Sequence, residues 1–171
     1  MNLIECRKRF PGPLTQATLV FLVEKSGDGV ARVVLAMKKR GFGSGRWNGV
    51  GGKALSGEAI EEAARRETEE EIGVRATSLR RAATLDFYFP HRPEWSQQVH
   101  AFLTEKWEGE PGESEEMAPQ WFKLTEIPYK KMWSSDSLWL PKVLEGLSIT
   151  AEFVFGEGDK VLEHEVREIN D

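Results

Sequence analysis

Gly51-Gly52-Lys53-Ala54-Leu55-Ser56-Gly57-Glu58-Ala59-Ile60-Glu61-Glu62-Ala63-Ala64-Arg65-Arg66-Glu67-Thr68-Glu69-Glu70-Glu71-Ile72-Gly73-Val74 is the stretch from which the rest of the chain is read. From Ser56 to Gly73 it carries the punctuation of one helix, a capping serine at the start and a glycine stop at the end. With Ile60 at zero on a wheel of about 100° per residue, Ala63 and Ala64 fall beside it. Glu67, Glu70 and Glu71, at i, i+3 and i+4, continue the same stripe, so the side meant for a core becomes a carboxylate cluster. Like charges at this spacing repel, and acids in a last turn also oppose the helix dipole. Two local rules broken at one place point to a site. Carboxylate oxygens are hard ligands and suit Mg²⁺, Mn²⁺ or Ca²⁺ rather than soft metals. A solvated acidic face would explain Glu61-Arg65 and Glu62-Arg66, which have the favourable i,i+4 order, but those pairs lie on the other side of the helix and leave the stripe unexplained.

Around this helix the composition is that of a globular protein. A length of 171 residues fits one domain with a substantial core. A net charge of −5 argues against broad nucleic-acid or acidic-membrane binding, while Lys38-Lys39-Arg40 leaves a local basic run for a small polyanion. Cys6 is the single cysteine, so no intramolecular disulfide is possible and a reducing compartment fits. No signal-peptide pattern and no bilayer-length apolar run is visible. A cytoplasmic protein is expected, and nothing in the sequence reports on oligomeric state.

The chain organises itself around the helix as alternating strands and turns. Residues 1–13, ending in Pro11-Gly12-Pro13, read as an extension ahead of a domain spanning 14–171. Ala17–Val23 and Ala31–Met37 are apolar, β-branched runs joined by Ser26-Gly27-Asp28-Gly29, a hairpin signal. Phe42–Asn48, with glycines at 41, 43 and 45, reads as a loop that brings backbone close to something. Further strands are expected at Leu85–Phe89, Gln97–Leu103 and Gln120–Leu124. A short helix follows over Leu138–Glu145, then a second hairpin, Glu152–Phe155 and Val161–Ile169 around Gly156-Glu157-Gly158-Asp159. A mixed sheet with a few helices packed on it is the result. His91, His100 and His164 show no transition-metal spacing, and a catalytic histidine is not expected.

Gly52, five residues, Glu58, seven residues, Arg66-Glu67, three residues to Glu71, then Gly73 resembles the signature of the Nudix hydrolase family. Residue types and spacing are both fixed over more than twenty positions, and Thr68 is the one departure, standing where the family has an aliphatic residue. The resemblance implies an α/β/α sandwich with a mixed, curved sheet. It also implies Mg²⁺, with Mn²⁺ able to substitute, bound by Glu67, Glu70 and Glu71, helped by the Gly52 carbonyl and approached by Glu116 from a distant loop. Arg66 would orient one of the glutamates by a charge-assisted hydrogen bond. Glu67 and Glu116 are both open as general base. Glu58 sits about half a turn from Glu67 and suits an indirect role.

Outside that signature the chain resembles the MutT-related branch of the family, whose members hydrolyse oxidised purine nucleoside triphosphates such as 8-oxo-dGTP to monophosphate and pyrophosphate. The similarity runs through Met37–Gly43, Gly45–Gly49, Glu113–Met117, Trp121-Phe122, Ile127-Pro128, Met132-Trp133, Asp136-Ser137, Trp139, Pro141 and Arg167-Glu168. It implies a purine pocket in which Asn48 binds the base, Trp133 stacks on it, Phe42 and Phe87 line it, Lys38 stands at its mouth, and Trp139 takes part. Amides read base edges by paired hydrogen bonds and aromatic rings supply stacking. Where the branch carries a proline and two carboxylates after its stacking tryptophan, this chain has Ser134, Ser135 and Asp136, so one carboxylate and one hydroxyl would face the purine edge. Other family substrates, a nucleotide sugar, a dinucleoside polyphosphate or an RNA 5′ end, are the competing enzyme reading. A non-catalytic nucleotide sensor is the non-enzyme one.

Overall fold

A computed structural model describes residues 1–169. The sheet is built from β1 (Thr15–Ser26), β2 (Gly29–Lys38), β3 (Trp47–Asn48), β5 (Arg80–Tyr88), β6 (Gln97–Thr104), β8 (Met117–Lys123), β9 (Ser148–Phe155) and β10 (Val161–Ile169). A separate two-stranded ribbon pairs β4 (Arg75–Ala76) with β7 (Trp107–Glu108). The helices are α1 (Leu3–Arg9), α2 (Ile60–Ile72) and α3 (Asp136–Leu144). Strand order is β10-β9-β5-β6-β1-β2-β3, with β8 on β2. The β1–β6 and β5–β9 pairs are parallel and the others antiparallel. The expected strands are present; β1 and β2 are longer at both ends than their apolar runs, and β5, β8 and β9 begin earlier than expected.

Alternation along the strands divides the core between two faces. Phe21, Leu85, Phe87 and Ala101 face α3, which buries Trp139, Leu140, Val143 and Leu144 against them. Val20, Leu22 and Phe102 face the opposite way and receive Ala64 and Ile72 of α2. On that same side Leu3 and Cys6 of α1 pack on Tyr88 and Val154. Helices therefore cover both sides of a mixed sheet, the α/β/α arrangement expected. Residues 1–13 do more than lead in: Asn2 and Glu5 form a reciprocal capping box that starts α1. Among the described residues no helix is long and apolar enough to cross a membrane.

One irregularity positions the site. β1 pairs with β2 only from Val23 to Ser26, and its first half turns to β6 instead. The segment after β2 fills the gap, with Trp47 and Asn48 pairing Met37 and Ala36. Val50 then bridges Val20, and Lys53 bridges Ala17. Splayed strands with backbone wedged between them open a cleft at the edge of the sheet, with α2 flanking it.

The start of α2 differs from expectation. The helix begins at Ile60, after an Ala59 that supplies no side-chain cap. Glu58 is drawn into a turn instead: its backbone N–H donates to the Leu55 carbonyl at 3.0 Å and its carboxylate accepts from the Leu55 N–H at 2.9 Å. Ser56 caps nothing because the chain reverses at Gly57, whose φ is +79°. The helix stop is as expected, with Gly73 in the left-handed region donating its N–H to the Glu69 carbonyl.

Candidate functional site

The wedge of backbone comes within contact of α2 through two glycines. A Cβ on Gly51 would lie 1.9 Å from the Thr18 carbonyl oxygen, and one on Gly52 would lie 2.7 Å from the Glu67 carboxyl carbon. Fixed backbone excludes a side chain at Gly51, and one at Gly52 would push the Glu67 carboxylate out of its place, which is the physical content of the paired glycines. The Gly51 N–H donates to Glu71 Oε2 at 3.1 Å. The Gly52 carbonyl, expected to help hold a metal, accepts the Thr18 N–H at 2.9 Å in strand-like pairing.

The three stripe glutamates part company in space. Glu67 and Glu71 line a cavity of about 790 Å³ together with Glu116 and Lys38. Glu70 lies outside that lining, its side chain 59% exposed, and reaches Arg66 at 3.2 Å. An i,i+3 neighbour is rotated about 60° from i on the helix, enough here to put Glu70 on the rim. Arg66 is the hub of the helix. It grips Glu58 with one guanidinium edge, Nε at 2.8 Å and Nη2 at 3.0 Å, and donates to Glu67 from Nη1 at 2.8 Å. The Arg66 hydrogen bonds, with help from the Leu55 N–H, pull the Glu58 carboxyl down to about 2. The orienting role expected of Arg66 is thus supplied with its own anchor. The Glu62-Arg66 pair does not form, because that guanidinium is committed to Glu58. Glu61 pairs with Arg81 instead.

Glu71 is the most perturbed of the acids. Burial pushes its carboxyl up to about 7 against the Gly51 hydrogen bond, and the charges of Glu67 and Glu116 push the same way. Glu116 goes the other way, held low by the Arg40 guanidinium at 2.6 Å. Among the described residues no three His, Cys, Asp or Glu side chains form a ready-made metal cage. Arg66 and Arg40 account for that, since each draws one carboxylate toward itself. The donor set nonetheless fits a hard divalent cation, since three carboxylates, Glu67, Glu71 and Glu116, share one cavity.

The other end of the same cavity is aromatic and polar. Phe42, Phe87, Phe89, Trp95, Trp133 and Phe155 line it, with Asn48, Ser135 and Asp136. Asn48 Oδ1 accepts the Gly49 N–H at 2.8 Å, so its amide NH₂ is the part left for a ligand. Gly43, with φ of +80°, sits where a Cβ would be 3.3 Å from Trp133 Nε1. The glycine-rich loop therefore approaches the indole that the resemblance singled out. Ser135 and Asp136 are almost completely buried, and Ser135 Oγ and Asp136 Oδ2 have no hydrogen-bond partner among the described residues. Burial alone pushes the Asp136 carboxyl up to about 7, although the Trp139 side chain, the Trp133 backbone and the charge of Arg46 all pull it down. Buried polar atoms without partners are uncommon, and here they border a cavity.

Trp139 does not join this lining. It is fully buried in the α3 core, edge-on to Phe21 at 5.9 Å. Its indole N–H donates to Asp136 Oδ1 at 3.1 Å, so it holds the acid from behind. Phe89 was within reach of the sequence, since it shares a strand face with Phe87. Arg46, Glu94 and Trp95 also line the cavity, and no spacing marked them. His100 bonds Gln16 at 2.7 Å and is not among the residues that line the cavity.

Comparison with known proteins agrees with this geometry. The family model described as the NUDIX domain matches residues 13–143. The chain is 44% identical over 154 residues to an oxidized purine nucleoside triphosphate hydrolase of Danio rerio, covering 90% of this chain and 95% of the relative. It is 45% identical over 139 residues to the protein of the same name in Mus musculus, covering 81% and 88%. Among solved structures, a MutT protein from Bacillus halodurans superimposes with a TM-score of 0.77 at 23% identity, covering 90% of this chain and 97% of that one, a likeness of fold. A family match over most of the length, on a helix whose arginine braces its own carboxylates, places the chain in the Nudix family.

Proposed function

We propose that the chain hydrolyses oxidised purine nucleoside triphosphates, 8-oxo-dGTP in particular, to the monophosphate and pyrophosphate, and so removes damaged nucleotides from the precursor pool. The observation that carries this reading is one continuous cavity, acidic at Glu67, Glu71 and Glu116 and aromatic with unpaired polar groups at Trp133, Ser135 and Asp136. A triphosphate and its base are the two halves of a ligand that such a cavity would match. The relatives in zebrafish and mouse carry the corresponding name.

Nudix hydrolases generally need a divalent metal, and Mg²⁺ is the ion proposed here, held by Glu67, Glu71 and Glu116 with Glu70 at the rim. Held there, the ion would supply charge neutralisation at the phosphates and activation of a water nucleophile. The chain's own residues do the rest. Lys38 adds positive charge at the acidic end, close enough to act on both Glu71 and Glu116. Arg66 fixes Glu67, and Arg40 holds Glu116, so each candidate base has a defined place from which to accept a proton. Asn48, Ser135 and Asp136 offer donors and acceptors to a base edge, and Trp133 and the phenylalanines exclude water around it.

A panel of 8-oxo-dGTP, dGTP, 2-oxo-dATP, a nucleotide sugar and a dinucleoside polyphosphate, with chromatographic identification of products, tests the proposal. The expected result is Mg²⁺-dependent release of 8-oxo-dGMP and pyrophosphate, abolished by EDTA. Preferred cleavage of the nucleotide sugar or dinucleotide, or diphosphate with single phosphate as products, would overturn it.

A further inference from the structure

We propose that Asp159, which lies outside the cavity lining, is a positioning residue for base recognition: it holds Arg46 on the face of Trp133 and Ser134 beside it, and so fixes the indole. The inference rests on the reading of the cavity as a nucleotide site and adds the device that sets one of its walls.

Three segments distant in sequence meet at this point. The turn between β9 and β10 is closed by the Gly156 N–H on the Lys160 carbonyl at 2.8 Å and by the Asp159 N–H on the Gly156 carbonyl at 3.1 Å. Asp159 is the one non-glycine residue among those described with a positive φ, +59°. Aspartate is among the few residues that visit this region, and such a conformation persists when its surroundings over-determine it. Both polar ends of the residue are used. Its carboxylate accepts from the Arg46 guanidinium at 2.7 Å, and its carbonyl accepts the Ser134 hydroxyl at 2.7 Å.

What these contacts restrain is the aromatic wall. The Arg46 guanidinium carbon lies 4.1 Å from the Trp133 ring centroid. Trp133 in turn packs on Phe42 at 5.2 Å, Phe42 on Trp95 at 4.8 Å, and Arg92 lies 4.9 Å over Trp95. Three tilted rings, with a guanidinium group at each end of the run, thus form a contiguous aromatic wall along one side of the cavity. Arg46 is the cap next to the base pocket, and Asp159 decides where that cap sits. Ser134 is bonded directly to Trp133 and precedes the two buried groups that lack partners, Ser135 and Asp136, so a shift at Ser134 would move the indole and both of them. As a mere surface ion pair, Arg46–Asp159 would add little to stability. As the clamp on a stacked cation it would act chiefly on binding.

Asp159→Asn and Asp159→Gly test this, since asparagine and glycine both tolerate the left-handed backbone while neither keeps the carboxylate. With 8-oxo-dGTP and Mg²⁺, KM should rise about tenfold in both variants, the size of one lost charge-assisted hydrogen bond, while kcat stays within about twofold. A role in turn conformation alone predicts no loss for Asp159→Gly. A second readout needs no turnover: the Trp133 share of the fluorescence, taken as the difference from Trp133→Phe in each background, should become more accessible to acrylamide in both variants. A KM within about twofold of wild type with 8-oxo-dGTP turned over normally would overturn the clamp and leave the substrate reading standing. Unchanged quenching of Trp133 would overturn it as well. If the wild-type chain does not process 8-oxo-dGTP, the substrate reading fails, and the quenching comparison decides the clamp by itself.

Discussion

Ser135 and Asp136 bring one hydroxyl and one carboxylate to the cavity wall, both buried and both with an atom unpaired. That placement supports the proposal that the serine reads the base over the view in which it lies outside the pocket. The carboxyl of Asp136, pushed up to about 7 by burial, gives this pair more freedom than its composition suggests. Ionised, it accepts from N1–H and the 2-amino group of a guanine-type edge; protonated, it donates to an adenine-type acceptor. The sign of the pH effect follows. Below about 7 the protonated form holds and adenine-type nucleotides gain; above it the ratio of kcat/KM for 8-oxo-dGTP over 2-oxo-dATP should climb. Ser135→Asp adds a second carboxylate that can share a proton, so the ratio should fall. A ratio flat from acid to alkaline pH and unchanged in Ser135→Asp would remove both residues from base selection. The same shift has a stability consequence. The folded value lies above the ordinary carboxylate range, so the native state binds the extra proton and stability declines as pH rises from about 4 toward 7.

At the scale of elements, α2 was legible because its spacing broke rules that only a site would break. Its stop at Gly73 could be read for the same reason that its start could not. A left-handed glycine is a local requirement, whereas the recruitment of Glu58 by Arg66 is a contact across eight residues that no cap rule contains. The glycine-rich loop was likewise legible as a close approach, though not what it approaches, which is Trp133. Trp139 misled because a tryptophan next to pocket residues in sequence turns, one helical turn on, into the core. The helix α1 was readable in principle from Asn2 and Glu5, a capping box, but seven residues with one apolar face rarely stand out against the propensity background. None of its residues lines the cavity. Removing residues 1–13 should therefore lower Tm by roughly 2–4 °C for each kcal/mol of lost packing and leave kcat/KM for 8-oxo-dGTP close to wild type. A large fall in kcat/KM with Tm unchanged would mean that α1 reaches the site in a way its packing does not show.

Over the whole molecule, the splay of β1 from β2 makes one cavity out of two kinds of chemistry. Backbone from Trp47 to Lys53 fills the gap between the strands. On one side it presents glycines to α2 and its carboxylates; on the other, Asn48 borders the aromatic wall. The long-range features, Glu116 reaching the acidic end and Asp159 reaching the aromatic one through Arg46, come from the segment just before β8 and the turn before β10, where spacing carries no information about meeting points. Two ends with separate duties imply separable kinetics. The most direct measurement is steady-state hydrolysis of 8-oxo-dGTP in saturating Mg²⁺ by wild type, Glu71→Gln and Trp133→Ala, with Glu69→Gln, whose side chain faces Arg75 at 3.2 Å, as control. The expected outcome is a fall in kcat of about two orders of magnitude or more for Glu71→Gln. Trp133→Ala should show a rise in KM of about ten- to a hundredfold with kcat much less affected, and Glu69→Gln should behave as wild type. Near-normal kcat in Glu71→Gln, or an unchanged KM in Trp133→Ala, would contradict the assignment of triphosphate and base to the two ends of this cavity.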